Sequence, residues 1–184
     1  MKQLFSLLIL LVFLSGLVLA QDKPTLSVTG KVQYIPAELD VLYEQMSGAG
    51  TNSNTSQNFE TSNDIYDNQG PDDFAVPTGE TLTIESIDVL GAYFNGTGPS
   101  ISYNVFFYNN AGGLPGTLVA EALNASYTDP GGLGSASITI SPAIVLTEGD
   151  YWISVQANLD FGVGGQWGWT EHTSVGTEST WQNP

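Results

Sequence analysis

The stretch DDFAVPTGETLTIESIDVLGAYF, Asp72–Phe94, decides the fold class of this chain. It contains turn chemistry at 77–80, Pro-Thr-Gly-Glu, because proline presets φ and glycine permits backbone angles that other residues avoid. Leu82 and Ile84 then alternate with polar residues, which is the period of a half-buried strand. The apolar phase slips by one residue after Ser86, which predicts a β-bulge that bends one long strand. This pattern is typical of a β-sandwich.

Short apolar strands separated by turn residues recur along the rest of the chain, as a sandwich requires. Alternation of apolar and polar residues predicts strands over 81–94, 101–108, 117–122, 135–140, 144–146 and 150–156. The turn after the first of them contains Asn95-Gly96, a dipeptide that favours a hairpin. No long amphipathic helix is predicted after residue 20. The sequence therefore predicts an all-β protein, an antiparallel β-sandwich of the jelly-roll-like type.

The first 20 residues have the three parts of a secretory signal peptide. Lys2 supplies the positive start, an apolar run covers 4–14, and residues 18–20, Val-Leu-Ala, offer small residues before a cleavage site. Ser-Gly at 15–16 interrupts the apolar run before the roughly 18 residues of a membrane span are reached. We expect cleavage after Ala20 and a secreted, extracellular or cell-surface protein without a membrane segment.

Cleavage would leave one domain with a sizeable core, preceded by a polar lead. Residues 21–56 are predicted to form this lead, and the small polar residues of 47–57 are predicted to form a flexible loop. The β-sandwich is placed at 57–184. Because no long alternating strand follows Thr170 and the chain stops at Pro184 in mid-turn, we expect a truncated sandwich from a longer protein with neighbouring domains.

The charge of the chain excludes two classes of partner. The net charge is −16, and after the signal Lys23 and Lys31 are the only Lys or Arg residues against 19 Asp and Glu. Nucleic acids and anionic membrane surfaces both need cationic footprints, so neither is expected as a partner. The chain also has no cysteine, so it would be exported without disulfides.

Five short segments together resemble a known type of module. They are DDFAVP at 72–77, GLPG at 113–116, EGDYWISV at 148–155, GGQWGW at 164–169 and WQNP at 181–184. In this combination the chain is similar to jelly-roll β-sandwich modules of large secreted and surface proteins from gliding, Bacteroidota-type bacteria. The resemblance covers residues 57–184. It implies a non-catalytic accessory or adhesion role and no catalytic residues.

Four aspartates form a candidate calcium site. They lie close together in a segment rich in Asn and Gly, at Asp64, Asp67, Asp72 and Asp73. Ca²⁺ prefers several hard oxygen ligands from a loop that can wrap around the ion. The alternative is that these aspartates cap turns and face water.

A second candidate site surrounds Trp167 and Trp169, which share one face of a predicted strand. Flat aromatic rings stack on sugar rings, and neighbouring polar side chains complete such a site. The polar candidates are Gln166, Asp160 and Asn158. The alternative is that both rings fill the space between the sheets.

Catalysis is poorly supported by the sequence. His172 is the only histidine, no cysteine nucleophile exists, and no G-x-S-x-G turn is present. Two carboxylates suffice for glycoside hydrolysis, but no pair is marked out among the acidic residues. We therefore predict a non-catalytic secreted or cell-surface accessory module that binds a polysaccharide or another surface glycan. The alternative is a structural or adhesive spacer, and a glycoside hydrolase or peptidase fragment is more distant.

Overall fold

The computed structural model describes residues 41–172 and Thr180. The predicted signal peptide at 1–20, the lead as far as residue 40 and the segment 181–184 lie outside these residues. Within the described part of the chain, no helix is long and apolar enough to cross a bilayer.

The described residues form two β-sheets, which confirms the predicted all-β sandwich. The smaller sheet has three strands in the order β1 (Ala49–Thr55), β9 (Gln166–His172), β4 (Gly91–Phe94). The larger sheet has the order β2 (Gln57–Asn58), β8 (Ala136–Asn158), β5 (Ser102–Asn110), β6 (Pro115–Ala125). Two further strands pair with β8, namely β3 (Asp72–Val89) and β7 (Tyr127–Thr128). Two short helices complete the fold, a 3₁₀ helix at Thr61–Tyr66 and α1 at Phe161–Gly164.

The larger sheet is built on β8, a single strand of 23 residues. Its first part pairs with β3, and its last part pairs with β5 in unbroken antiparallel register from Asn158 opposite Ser102 to Tyr151 opposite Asn109. The sequence analysis predicts three separate strands here. That prediction is wrong because the chain stays extended through the turn-forming residues at 141–142 and 148–149.

The first irregularity in the ribbon of β3 and β8 lies on β3. Four residues, the Pro-Thr-Gly-Glu of 77–80, lie opposite Glu148 alone. The Glu148 carboxylate accepts a hydrogen bond of 2.6 Å from the backbone N–H of Gly79, whose φ of 82° suits glycine. The predicted turn is therefore an outward bulge of β3, held by its partner strand. The flanking pairs are Val76–Gly149 and Thr81–Thr147.

The second irregularity lies on β8 and restores the register. Here Glu85 of β3 lies opposite four residues of β8, 140–143. The predicted irregularity near Ser86 is thus confirmed, but the extra residues lie on β8 and not on β3. The flanking pairs are Ile84–Ile144 and Ser86–Thr139.

The core lies between the two sheets and is centred on Trp167 of β9, which is fully buried. Its ring meets the ring of Tyr103 on β5 edge to face, with centroids 5.2 Å apart, and its indole N–H donates to the Gly134 carbonyl at 2.8 Å. A Cβ at Gly91 on β4 would lie 2.5 Å from the indole nitrogen. Only glycine therefore fits beneath this ring.

Two sequence predictions about connections are corrected by the structure. The predicted loop at 47–57 contains β1, which pairs with β9 through backbone groups and leaves most side chains exposed, so no apolar alternation marks it. The sandwich therefore begins before residue 57. Asn95-Gly96 does not close a hairpin, because β4 and β5 belong to different sheets. Residues 170–172 belong to β9, the central strand of the smaller sheet.

Gln57 joins the two sheets at one end of the core. Its buried side-chain amide donates to the carbonyls of Leu159 at 2.6 Å and Gly165 at 3.1 Å, and its oxygen accepts from the N–H of Trp167 at 2.7 Å. The amide thus satisfies three backbone groups at the end of β8 and the start of β9.

We expect Gln57→Leu to lower the free energy of unfolding by about 3 kcal/mol or more, because it leaves three backbone groups unpaired in the interior. Urea unfolding followed by tryptophan fluorescence measures this change. Gln166→Leu is the matched control, since it removes a glutamine whose bond to Asn95 is exposed. Equal effects of the two variants would contradict the role of Gln57.

Ser154 and Ser56 form a natural pair for a second test, since both are fully buried. The Ser56 hydroxyl donates to the Val155 carbonyl at 2.6 Å and accepts from the Gly70 N–H at 3.2 Å. The Ser154 hydroxyl has no hydrogen-bond partner within the described ranges.

We expect Ser154→Ala to leave the stability unchanged or to raise it, because it removes a buried polar group that lacks a partner. Ser56→Ala should lower the free energy of unfolding by about 1–3 kcal/mol, because it leaves a carbonyl and an N–H unsatisfied. Thermal and urea unfolding of both variants measure the difference. A larger loss for Ser154→Ala would show that the buried hydroxyl is bonded in solution.

Candidate ligand-binding groove

The residues predicted for a sugar site have different surroundings in the structure. Trp167 lies in the core, and Trp169, on the same face of β9, is half-buried and packs against that core. A ring without exposed surface cannot stack on a ligand, so the packing alternative holds for Trp167. Gln166 accepts a hydrogen bond of 2.7 Å from Asn95, and the backbone carbonyl of Asp160 accepts from two N–H groups of α1.

Asn158 belongs to a network of buried amides on the face of β8 that points away from the core. Its amide nitrogen donates to Ser102 at 2.8 Å and to the Asn104 side-chain oxygen at 3.0 Å. Its oxygen accepts from the amides of Asn104 at 2.9 Å and Asn58 at 2.8 Å. These bonds tie β2, β5 and β8 together, which gives Asn158 a structural role in place of the predicted ligand contact.

The four aspartates do not assemble as one group of metal ligands. The Asp67 carboxylate accepts from the N–H of Phe59 at 2.8 Å, and the Asp72 carboxylate accepts from the N–H of Asp73 at 3.1 Å. Asp64 is exposed in the 3₁₀ helix. Among the residues that the structure describes, no three His, Cys, Asp or Glu side chains are grouped to hold a metal ion. Asp67 and Asp72 each accept a bond from a backbone N–H, but Asp72 is largely buried and does not face water as the capping alternative expects. The calcium hypothesis loses its predicted ligand set.

Asp72 is the aspartate whose ionisation the fold disfavours. Burial raises the pKa of its carboxyl above the ordinary value, and the charge of Asp73 acts in the same direction. The hydrogen bond from the Asp73 N–H and the positive charge of His172, whose Nε2 lies 3.9 Å from the carboxylate, oppose the rise in pKa. The folded state therefore holds the Asp72 proton more tightly than the unfolded chain does.

Stability should consequently rise as the pH falls towards the raised pKa of Asp72, because the folded state binds more protons than the unfolded state in that window. We expect Asp72→Asn to remove this part of the pH dependence of the free energy of unfolding. Urea unfolding between about pH 7 and pH 4 measures it, in the His172→Gln background, which removes the imidazole beside Asp72. Asp64→Asn is the control on an exposed aspartate. Identical pH profiles with and without Asp72 would contradict the assignment.

A groove of about 290 Å³ opens where the segment before β1 crosses the paired strands β3 and β8. Its volume is close to the lower end of the range for small-molecule sites, about 300–1,000 Å³. We call it the tyrosine groove. Its lining residues are Tyr43, Gln45, Asp73, Phe74, Ala75, Asn110, Asp150 and Tyr151.

Three aromatic rings form a row along the tyrosine groove. The Phe74 ring lies 5.7 Å from that of Tyr43 and 5.8 Å from that of Tyr151, with which it is stacked at 28°. Phe74 and Tyr151 are directly opposite in the register of β3 and β8, so their side chains share a face. Phe74 also contacts the fully buried Phe107 at 6.1 Å. The row is therefore anchored in the core, while 45% of Tyr43 is exposed.

Polar groups surround this aromatic row. Gln45 donates to the Tyr43 hydroxyl at 2.7 Å and to the Asp73 carbonyl at 3.1 Å, which fixes the segment before β1. The Asn110 side-chain oxygen accepts from the Trp152 indole at 3.2 Å, so this amide is also held in place. Burial raises the pKa of Tyr43, so its phenol stays protonated at neutral pH. Asp73 and Asp150 also belong to the lining, and because each is the neighbour of a ring residue on its strand, its side chain leaves the ribbon on the opposite face.

The sequence analysis missed this groove for a physical reason. Its residues come from four separate parts of the chain, and the register of β3 against β8 decides which of them meet. A partial signal was present, because the quoted segments 72–77 and 148–155 contain five of the lining residues. They become neighbours by pairing across the ribbon.

Comparison of the chain with protein-family models, with curated proteins and with solved structures finds no match. The resemblance to modules of surface proteins therefore stays a prediction.

Proposed function

We propose that this protein is a non-catalytic secreted or cell-surface accessory module that binds a carbohydrate in the tyrosine groove. The observation that carries the proposal is the row of Tyr43, Phe74 and Tyr151, in which the two tyrosines offer aromatic surface at the groove and the buried Phe74 anchors them to the core. Sugar rings have apolar C–H faces and hydroxyl edges. A site for them needs aromatic surface with hydrogen-bonding groups beside it.

The polar lining supports the same ligand class. Asn110 has an amide that can both donate and accept. Because Gln45 and Asn110 are already held by neighbouring groups, little ordering of side chains is needed when a ligand binds.

The test is binding of the purified protein to a panel of soluble glucans, xylans and mannans by isothermal titration calorimetry. We expect Tyr43→Ala to weaken the affinity for a bound glycan by about three- to tenfold, the effect of losing one stacking ring. Tyr66→Ala is the matched control, because it removes a tyrosine that is 61% exposed outside the groove. Unchanged affinity in Tyr43→Ala would place the glycan elsewhere.

A structural or adhesive spacer is the second candidate function. It is favoured by the burial of Trp152 and Trp167, which removes two of the rings that most often bind sugars from the surface. Failure of every glycan on the panel to bind would favour the spacer over the binding module.

A further inference from the structure

The tyrosine groove lies in an electrostatic field of one sign. The net charge of the chain is −16, and its three Lys and Arg residues all precede residue 32, so residues 41–172 contain none. The only histidine, His172, lies 3.9 Å from the carboxylate of Asp72 and does not line the groove. Acidic residues, in contrast, lie within two positions of the rings of the aromatic row, namely Glu44, Asp72, Asp73 and Asp150.

This negative charge acts on the groove without touching a ligand. The field of an exposed charge extends over about 8 Å at physiological ionic strength and over about 30 Å at 0.01 M. Tyr43 reports that the field reaches the aromatic row. Burial raises the pKa of its phenol, and the charges of Asp73 and Asp72 raise this pKa further, because they disfavour a negative charge on the ring. An anionic ligand against Tyr43 would meet the same repulsion.

The contacts that the groove offers do not require a charged ligand. Tyr43 and Tyr151 offer ring surface, and Asn110 offers an amide that can donate and accept. A neutral sugar can use all of these contacts. A uronic acid or a sulfated sugar would bring a negative charge for which the described lining holds no Lys, Arg or His partner.

We propose that the tyrosine groove selects neutral glycans and rejects glycans that contain uronic acids or sulfate, a ligand class that rests on the carbohydrate-binding function proposed above. The aromatic row supplies the affinity, and the negative field around it supplies the selectivity. Repulsion of like charges discriminates between two ligands without any additional contact to the preferred one.

The test compares pairs of oligomers of equal length that differ in charge. The pairs are β-1,4-linked glucose with glucuronic acid, mannose with mannuronic acid, and xylose without and with a glucuronic acid branch. Titrations with the full chain are made at about pH 7, where uronic acids are ionised. For each neutral oligomer that binds, we expect the acidic counterpart to bind at least about tenfold more weakly at low salt. In about 0.5 M sodium chloride this difference should shrink, while the affinity for the neutral oligomer stays unchanged.

The variant Asp73→Asn locates the repulsion at the groove. Of the two carboxylates that raise the pKa of Tyr43, that of Asp73 acts more strongly, and its bond to Gln45 uses the backbone carbonyl, which the substitution keeps. We expect the affinity for the acidic oligomer to rise about two- to threefold and that for the neutral oligomer to stay unchanged. Asp88→Asn is the matched control, because Asp88 is an exposed aspartate at the other end of β3. An equal gain in Asp88→Asn would assign the discrimination to the total charge and overturn the proposal.

The remaining outcomes separate this proposal from the function on which it rests. Equal or tighter binding of the acidic oligomer at low salt, with Tyr43→Ala weakening the binding of both, would overturn the selection of neutral glycans and leave carbohydrate binding in place. Failure of every neutral and every acidic oligomer to bind would overturn both proposals.

Discussion

The structure depends on one buried amide, that of Gln57, at the place where the chain passes from one sheet to the other. The N–H of Ser56 bonds to the Trp167 carbonyl in the smaller sheet, and its carbonyl accepts from Ala157 in the larger sheet. Gln57 is the next residue, and its side chain bonds to backbone groups at the end of β8 and at the start of β9. Both backbone groups of Trp167 are bonded at this crossing, and its ring packs against Tyr103 of the larger sheet.

Local periodicity was sufficient to predict the fold class and the core strands. The alternation of Leu82 and Ile84 and the phase break at Ser86 are local properties, and the structure confirms both. The strand β1 could not be predicted in this way, because its stability comes from backbone pairing with β9 and its side chains remain largely exposed. The full length of β8 could not be predicted either, because the turn-forming residues at 141–142 and 148–149 lie inside one extended strand.

In the candidate site, too, relations between residues close in sequence could be predicted, and contacts between residues far apart in sequence could not. Trp167 and Trp169 were correctly placed on one face of a strand, but sequence alone could not decide which side of that strand faces the core. The tyrosine groove depends instead on pairing across the ribbon and on Tyr43, which lies far away in the chain. Neither relation leaves a periodic pattern, so neither could be predicted from a single sequence.

The two compensating irregularities of the ribbon also decide how β3 and β8 avoid mispairing. Between them the strands are offset by three residues from the register on either side. Side chains alternate with a period of two, so an odd offset exchanges the faces of a strand. Leu82 and Leu146 lie opposite each other in the observed register. If β3 and β8 paired in one continuous register, these two side chains would point to different faces, and one of them would be exposed to water. Burial of Leu82 and Leu146 therefore favours the observed register over a continuous one, because only the observed register places both side chains on the core face.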